Sequence, residues 1–96
     1  MRATKAYIHL DNVRSNIRLL QRHIGGSVSL CAAVKANAYG HGDYYIAKTA
    51  LEEGVHTLAV ACVDEALSLR DNGIHAPLLL LSVPLPEEIP AIVRHN

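Results

Sequence analysis

The sequence predicts an α/β fold built on a parallel sheet, and three observations predict it. Apolar runs of strand length at residues 30–34, 57–61 and 78–81 show no polar alternation, so each is expected to be covered on both faces, as in a parallel sheet packed by helices. Segments with helical apolar spacing, stopped by glycine, lie between them. The strands start about every 20 to 27 residues, the spacing of right-handed βαβ units. A doubly wound open sheet and a (β/α)₈ barrel both satisfy that order. Three units do not close a barrel, which takes eight and about 250 residues, so the sequence is expected to be the N-terminal part of a larger protein, cut within a βα unit.

Residues 7–10 have a short strand-type pattern, ended by Asp11, whose carboxylate suits the first free N–H groups of a helix. The helix that follows carries Val13, Ile17, Leu20 and Ile24 on one stripe and Arg14, Arg18 and Arg22 on the opposite flank. Gly25-Gly26 ends it. The arginine row raises the question of an anion site, but a solvated helix face explains it more simply. Residues 27–35 then read as the first strand, through Leu30-Cys31-Ala32-Ala33-Val34 to Lys35.

After Gly40-His41-Gly42, residues 43–53 place Ile46, Ala47, Ala50 and Leu51 on one side of a helix that Gly54 terminates. Thr57-Leu58-Ala59-Val60-Ala61 is the second strand. Asp64-Glu65 suits the positive end of the next helix dipole, and Ala66, Leu67, Leu69 and Arg70 continue to Asn72-Gly73. Pro77 introduces the third strand, Leu78-Leu79-Leu80-Leu81, and Pro84-Leu85-Pro86-Glu87-Glu88 is a proline-led start to another helix.

Composition excludes several functions. Half of the 96 residues are apolar and 19% charged, with nine basic against nine acidic side chains, so the electrostatic footprint of a nucleic-acid or membrane-surface binder is missing. No apolar stretch approaches the ~18 to 20 residues of a membrane span and no signal-peptide core follows Met1, so a cytoplasmic protein is expected. Cys31 and Cys62 lack a C-x-x-C spacing and lie in apolar runs, which predicts inert, buried thiols at opposite ends of the sheet. The six histidines show no metal-ligand spacing, so no metal site is expected.

The chemistry is expected at Ala33-Val34-Lys35-Ala36-Asn37-Ala38-Tyr39-Gly40-His41-Gly42. Ligands of parallel α/β sheets sit beyond the carboxyl ends of the strands, where Lys35 falls. An amine behind five apolar or small residues is partly desolvated, which favours the neutral form that condenses with an aldehyde. Ala36 and Ala38 leave room for a flat ligand. Tyr39 and the N–H groups of the glycine turn, at the start of the next helix, are candidates for holding a phosphate. That combination suits pyridoxal phosphate, although a lysine that merely stops a strand and a Gly-His-Gly that merely turns the chain remain open on the residues alone.

Residues 33–42 resemble, at every position, the pyridoxal phosphate attachment signature of the alanine racemase family. So do Asn16-Ile17, the run Val63-Asp64-Glu65-Ala66-Leu67-Ser68-Leu69-Arg70, and Pro86-Glu87-Glu88. The core Val34-Lys35-Ala36-Asn37 is shared with related barrel decarboxylases of ornithine and diaminopimelate, while Tyr39-Gly40-His41-Gly42 favours a racemase. Two departures are visible: the early Ile-Asp-Leu pattern stands here as Ile8-His9-Leu10, and a glycine often found after strand three is Ser82.

The resemblance implies an α/β fold in which the chain is the N-terminal portion of a (β/α)₈ TIM-like barrel, incomplete with about three parallel strands. Residues 1–10 would form a short strand that packs on a C-terminal β domain absent from the sequence, and residues 11–96 the first βα units of the barrel. Lys35 would be the catalytic residue and, with Tyr39 beside the cofactor phosphate, would bind pyridoxal 5'-phosphate. The full-length protein would be a homodimer acting on alanine and supplying D-alanine for cell-wall peptidoglycan, its second acid–base group a tyrosine of the partner's second domain. The alternatives are a racemase of broader range, a fold-related decarboxylase, or a non-catalytic cofactor-binding fragment. The 96 residues alone are expected to be inactive and poorly stable, because they leave a bare strand edge.

Overall fold

A computed structural model describes residues 3–96. The first helix, α1 (Leu10–Ile24), begins two residues earlier than the Asp11 cap predicts: His9 is the extended N-cap residue and Asp11 lies in the first turn, near the positive end of the dipole. The strand expected over residues 1–10 is not formed within the described part, since Leu10 is already helical and residues 4–9 have no strand partner. The share of that expectation that falls on Met1 and Arg2 lies outside the described residues.

Three parallel strands follow in the order predicted: β1 (Cys31–Ala33), β2 (Thr57–Val60) and β3 (Leu78–Leu80), with β2 in the middle. β1 is shorter than the run 27–35 because Cys31 pairs with Thr57, the first residue of β2, and residues 27–30 face no partner. Between the strands lie a five-residue helical turn, α2 (Lys35–Tyr39), then α3 (Asp43–Glu52) and α4 (Val63–Asp71). A 3-10 turn (Pro86–Glu88) leads into α5 (Ile89–His95), in keeping with the proline-led start.

The core lies on one face of the sheet. Leu58 and Val60 of β2, both fully buried, meet Ala47 of α3 and Leu69 of α4, with Ala32, Leu78 and Leu80 packed around them. Alternation sends the intervening residues to the other face, where the register aligns Ala33, Ala59 and Leu79. That face carries no helix, and Leu79 remains 51% exposed. The expectation of helices on both faces is therefore not met, although Ala59, in the middle strand, is only 4% exposed. For the same reason Cys31 is exposed, and Cys62 is exposed just past the end of β2, so neither thiol is the buried group that its apolar neighbours suggested.

The arginine row is neither an anion site nor a purely solvated face. Arg14 and Arg18 pair with Glu52 and Glu53 at the end of α3, at 2.8–3.3 Å, and tie α1 to the rest of the domain. Among the described residues no helix is long and apolar enough to cross a membrane.

Candidate functional site

Lys35 stands at the carboxyl end of β1, directly after Val34, which is 1% exposed and whose N–H extends the ladder to the Ala59 carbonyl at 2.9 Å. The lysine itself is half-buried. From there the backbone does something no periodicity signals: Ala36, Asn37, Ala38 and Tyr39 all have φ between 51° and 58°, so α2 is a left-handed turn made of four residues with side chains. Left-handed helical backbone costs an L-residue about 1–2 kcal/mol, and such strain persists only where the surroundings over-determine it.

The surroundings do so with hydrogen bonds. Gly40 N–H donates to the Ala36 and Asn37 carbonyls, His41 N–H to Ala38, and Gly42 N–H to Asn37, all at 3.0–3.2 Å. The Asn37 carboxamide oxygen accepts the Asp43 N–H at 2.9 Å and so joins the turn to α3. His41 Nδ1 lies 3.0 Å from the Ala38 carbonyl, and buried Ala38 anchors the turn in the core. These bonds correct one expectation. The glycine-turn N–H groups are not exposed to receive a phosphate, because the left-handed turn points its own carbonyls at them.

The N-terminal side of the turn is held by a residue that sequence reasoning assigned only to a helix dipole. Glu65, in the first turn of α4, accepts the Ala61 N–H with Oε1 at 2.7 Å and the Ala36 N–H with Oε2 at 2.8 Å. The Ala36 amide is the main cause that holds its carboxyl below the usual glutamate range; the Ala61 and Cys62 amides and the nearby Lys35 charge act in the same direction, against burial. The signal in the sequence was an acid four residues beyond a strand end, which also fits plain dipole complementarity.

Tyr39 is 61% exposed at the far end of the turn. Among the described residues, neither its hydroxyl nor the Lys35 amine has a hydrogen-bond or ion-pair partner. No group of three metal-ligating side chains occurs among the described residues. Ser82, beyond β3, donates its hydroxyl to the Ala61 carbonyl and so bonds to the end of β2. An apolar groove lined by Val63, Leu67, Leu78, Leu80 and Ile92 lies between α4, β3 and α5, apart from Lys35.

Comparison with known proteins places this arrangement. The family profile described as "Alanine racemase, N-terminal domain" matches residues 8–96. The alanine racemase of Treponema denticola is 48% identical over 96 residues, which is 100% of this chain and 25% of the relative. Alanine racemase 1 of Bacillus subtilis is 50% identical over 95 residues, 99% of this chain and 24% of its own length. Among solved structures, the alanine racemase from Bacillus anthracis with bound L-Ala-P superposes with a TM-score of 0.86 at 43% identity, covering 90% of this chain and 22% of that one. That of Enterococcus faecalis gives 0.88 at 34% identity, covering 92% and 24%. The chain thus spans about a quarter of the length of the relatives that it matches.

Proposed function

Because the chain belongs to the alanine racemase N-terminal domain family, we propose that the full-length protein interconverts L- and D-alanine, with pyridoxal 5'-phosphate held at Lys35. The observation that carries this reading is a half-buried lysine, its amine without a partner among the described residues, at the carboxyl end of β1 where a left-handed turn begins.

The residues fit this cofactor at two points. Lys35 supplies the primary amine that an aldehyde requires, and Tyr39 supplies a phenol whose hydroxyl can donate to a phosphate oxygen. The glycine turn does not contribute, since its N–H groups are already satisfied, and the remaining phosphate ligands are assigned to residues outside this sequence. When bound, the cofactor draws electrons from the Cα–H bond of the substrate and so acidifies it.

Lys35 would hold the cofactor through its primary amine and, when not so engaged, would serve as the base that moves the Cα proton on one face. Val34 and Ala38, both buried, anchor the backbone on either side of it in the core. Racemisation also needs a group on the opposite face, which we assign to the second domain of a partner subunit in a homodimer. The reading places the protein in the cytoplasm, as a source of D-alanine for peptidoglycan.

The test is borohydride reduction of the cofactor-loaded full-length protein followed by peptide mapping, together with chiral analysis of alanine. A label on Lys35 and formation of D-alanine from L-alanine are expected. A label on any other lysine overturns the site, and release of carbon dioxide from an amino-acid substrate assigns the protein to the decarboxylases.

A further inference from the structure

Four consecutive side-chain-bearing residues in left-handed backbone need a restraint from outside the turn. Most of the bonds in this turn are local: Gly40, His41 and Gly42 donate back into it, and Ala38 N–H donates to the Val34 carbonyl at 2.9 Å. Among the described residues, the Ala36 N–H is the one amide of the turn that bonds to a different element, and its acceptor is Glu65. The other carboxylate oxygen of Glu65 takes the Ala61 N–H just past the end of β2. One ionised side chain thus bridges the ends of two adjacent strands, immediately after the lysine.

We infer that Glu65 is a positioning residue for Lys35: by accepting the Ala61 and Ala36 amides on its two oxygens, it fixes the left-handed turn against the end of β2 and sets the direction of the lysine amine. This rests on the reading of Lys35 as the cofactor lysine. The bridge needs two acceptors at this reach. A glutamine turns an NH₂ toward one of the two N–H donors, and an aspartate falls one methylene short. The lowered carboxyl of Glu65 agrees with a group that works ionised.

The experiment uses the full-length, cofactor-loaded protein and the variants Glu65→Gln, Ala36→Gly and the two combined. Glu65→Gln is expected to lose cofactor about tenfold more readily on dialysis, the scale of one charge-assisted hydrogen bond, and to move the visible cofactor band toward that of the free compound. Ala36→Gly removes the penalty for positive φ at that residue, so in the Glu65→Gln background it is expected to recover most of the retention and the band. A role of Glu65 confined to general folding gives no such rescue.

Unchanged retention and spectrum in Glu65→Gln, or no recovery in the double variant, overturns the inference. Should Glu65→Gln fail to fold, hydrogen exchange in the unsubstituted protein decides: an Ala36 amide exchanging as slowly as the β2 ladder supports the bridge, and one exchanging at open-loop rates overturns it. Failure to label Lys35 in the unsubstituted protein overturns the cofactor reading and this inference together. Normal labelling with an indifferent Glu65→Gln overturns this inference alone.

Discussion

Arg18 grips Glu53 with two parallel bonds, Nε to Oε2 at 2.8 Å and Nη2 to Oε1 at 2.9 Å. Arg14 adds bonds to Glu53 and Glu52, and Gln21 donates to the Glu53 carbonyl at 2.7 Å. Since α1 has no fully buried residue, this polar latch contributes an unusual share of what docks the helix. Arg18 first, and then Arg14, hold the Glu53 carboxyl below the usual range against its desolvation. Glu53→Ala is therefore expected to speed hydrogen exchange through α1 while leaving β2 unchanged, and high salt is expected to mimic it by screening exposed charges. Equal exchange in α1 with and without Glu53 would show that apolar contacts suffice.

His9 caps α1 with its backbone alone: it is extended, at φ −93° and ψ 95°, and makes no side-chain cap bond. An aspartate there accepts one of the free first-turn N–H groups and complements the dipole. His9→Asp is expected to raise unfolding stability by about 1 kcal/mol, read as a higher urea midpoint at unchanged slope. A lower midpoint would mean that repulsion from neighbouring Asp11 outweighs the cap.

Element order, strand direction and the place of Lys35 were legible because they follow from apolar run length and glycine punctuation, which act locally. What escaped depends on partners distant in sequence. The apolar run through Cys31 and Ala33 suggested burial on both sides, yet helices α3 and α4 cover one face of the sheet, and whether the other is covered depends on chain beyond the run itself. The left-handed turn left no mark either. Alanine has one of the highest right-handed helix propensities, and Ala36 and Ala38 adopt positive φ because Glu65, 29 residues from Ala36, and the core contact of Ala38 select it. A glycine turn ahead of a helix suggests N–H groups offered outward, and here the same left-handed turn draws those of Gly40 and Gly42 in.

The two faces of the sheet give contrasting substitutions. Leu58 is fully buried against the helices, so Leu58→Ala is expected to cost about 2–5 kcal/mol in any context. Leu79 sits on the bare face at 51% exposure, aligned with Ala59. In the 96-residue chain Leu79→Asn is expected to change stability by less than about 1 kcal/mol. In a chain of the relatives' full length, where this face becomes the packed interior of the barrel, the same change should cost more than about 2 kcal/mol, since it buries an amide without a partner. Denaturant titration of both lengths checks this, and equal costs would mean that the face is not an interior.

Acid should release the Lys35 turn before it unfolds the sheet. Glu65 is half-buried and accepts backbone N–H bonds that only the ionised carboxylate can take on both oxygens, and its folded-state pKa is lowered, with the Ala36 amide as the largest cause. A group whose folded pKa lies below its unfolded value of about 4.3 lends full stability above that value and loses it as pH falls through the lower, folded one. Protection of the amides in residues 35–42 is thus expected to be flat from neutral pH down to about 4 and to fall below it, after correction for intrinsic exchange rates. In Glu65→Gln the step should vanish, because no proton is taken up there. A step that survives in Glu65→Gln would place the titrating group elsewhere and overturn this prediction.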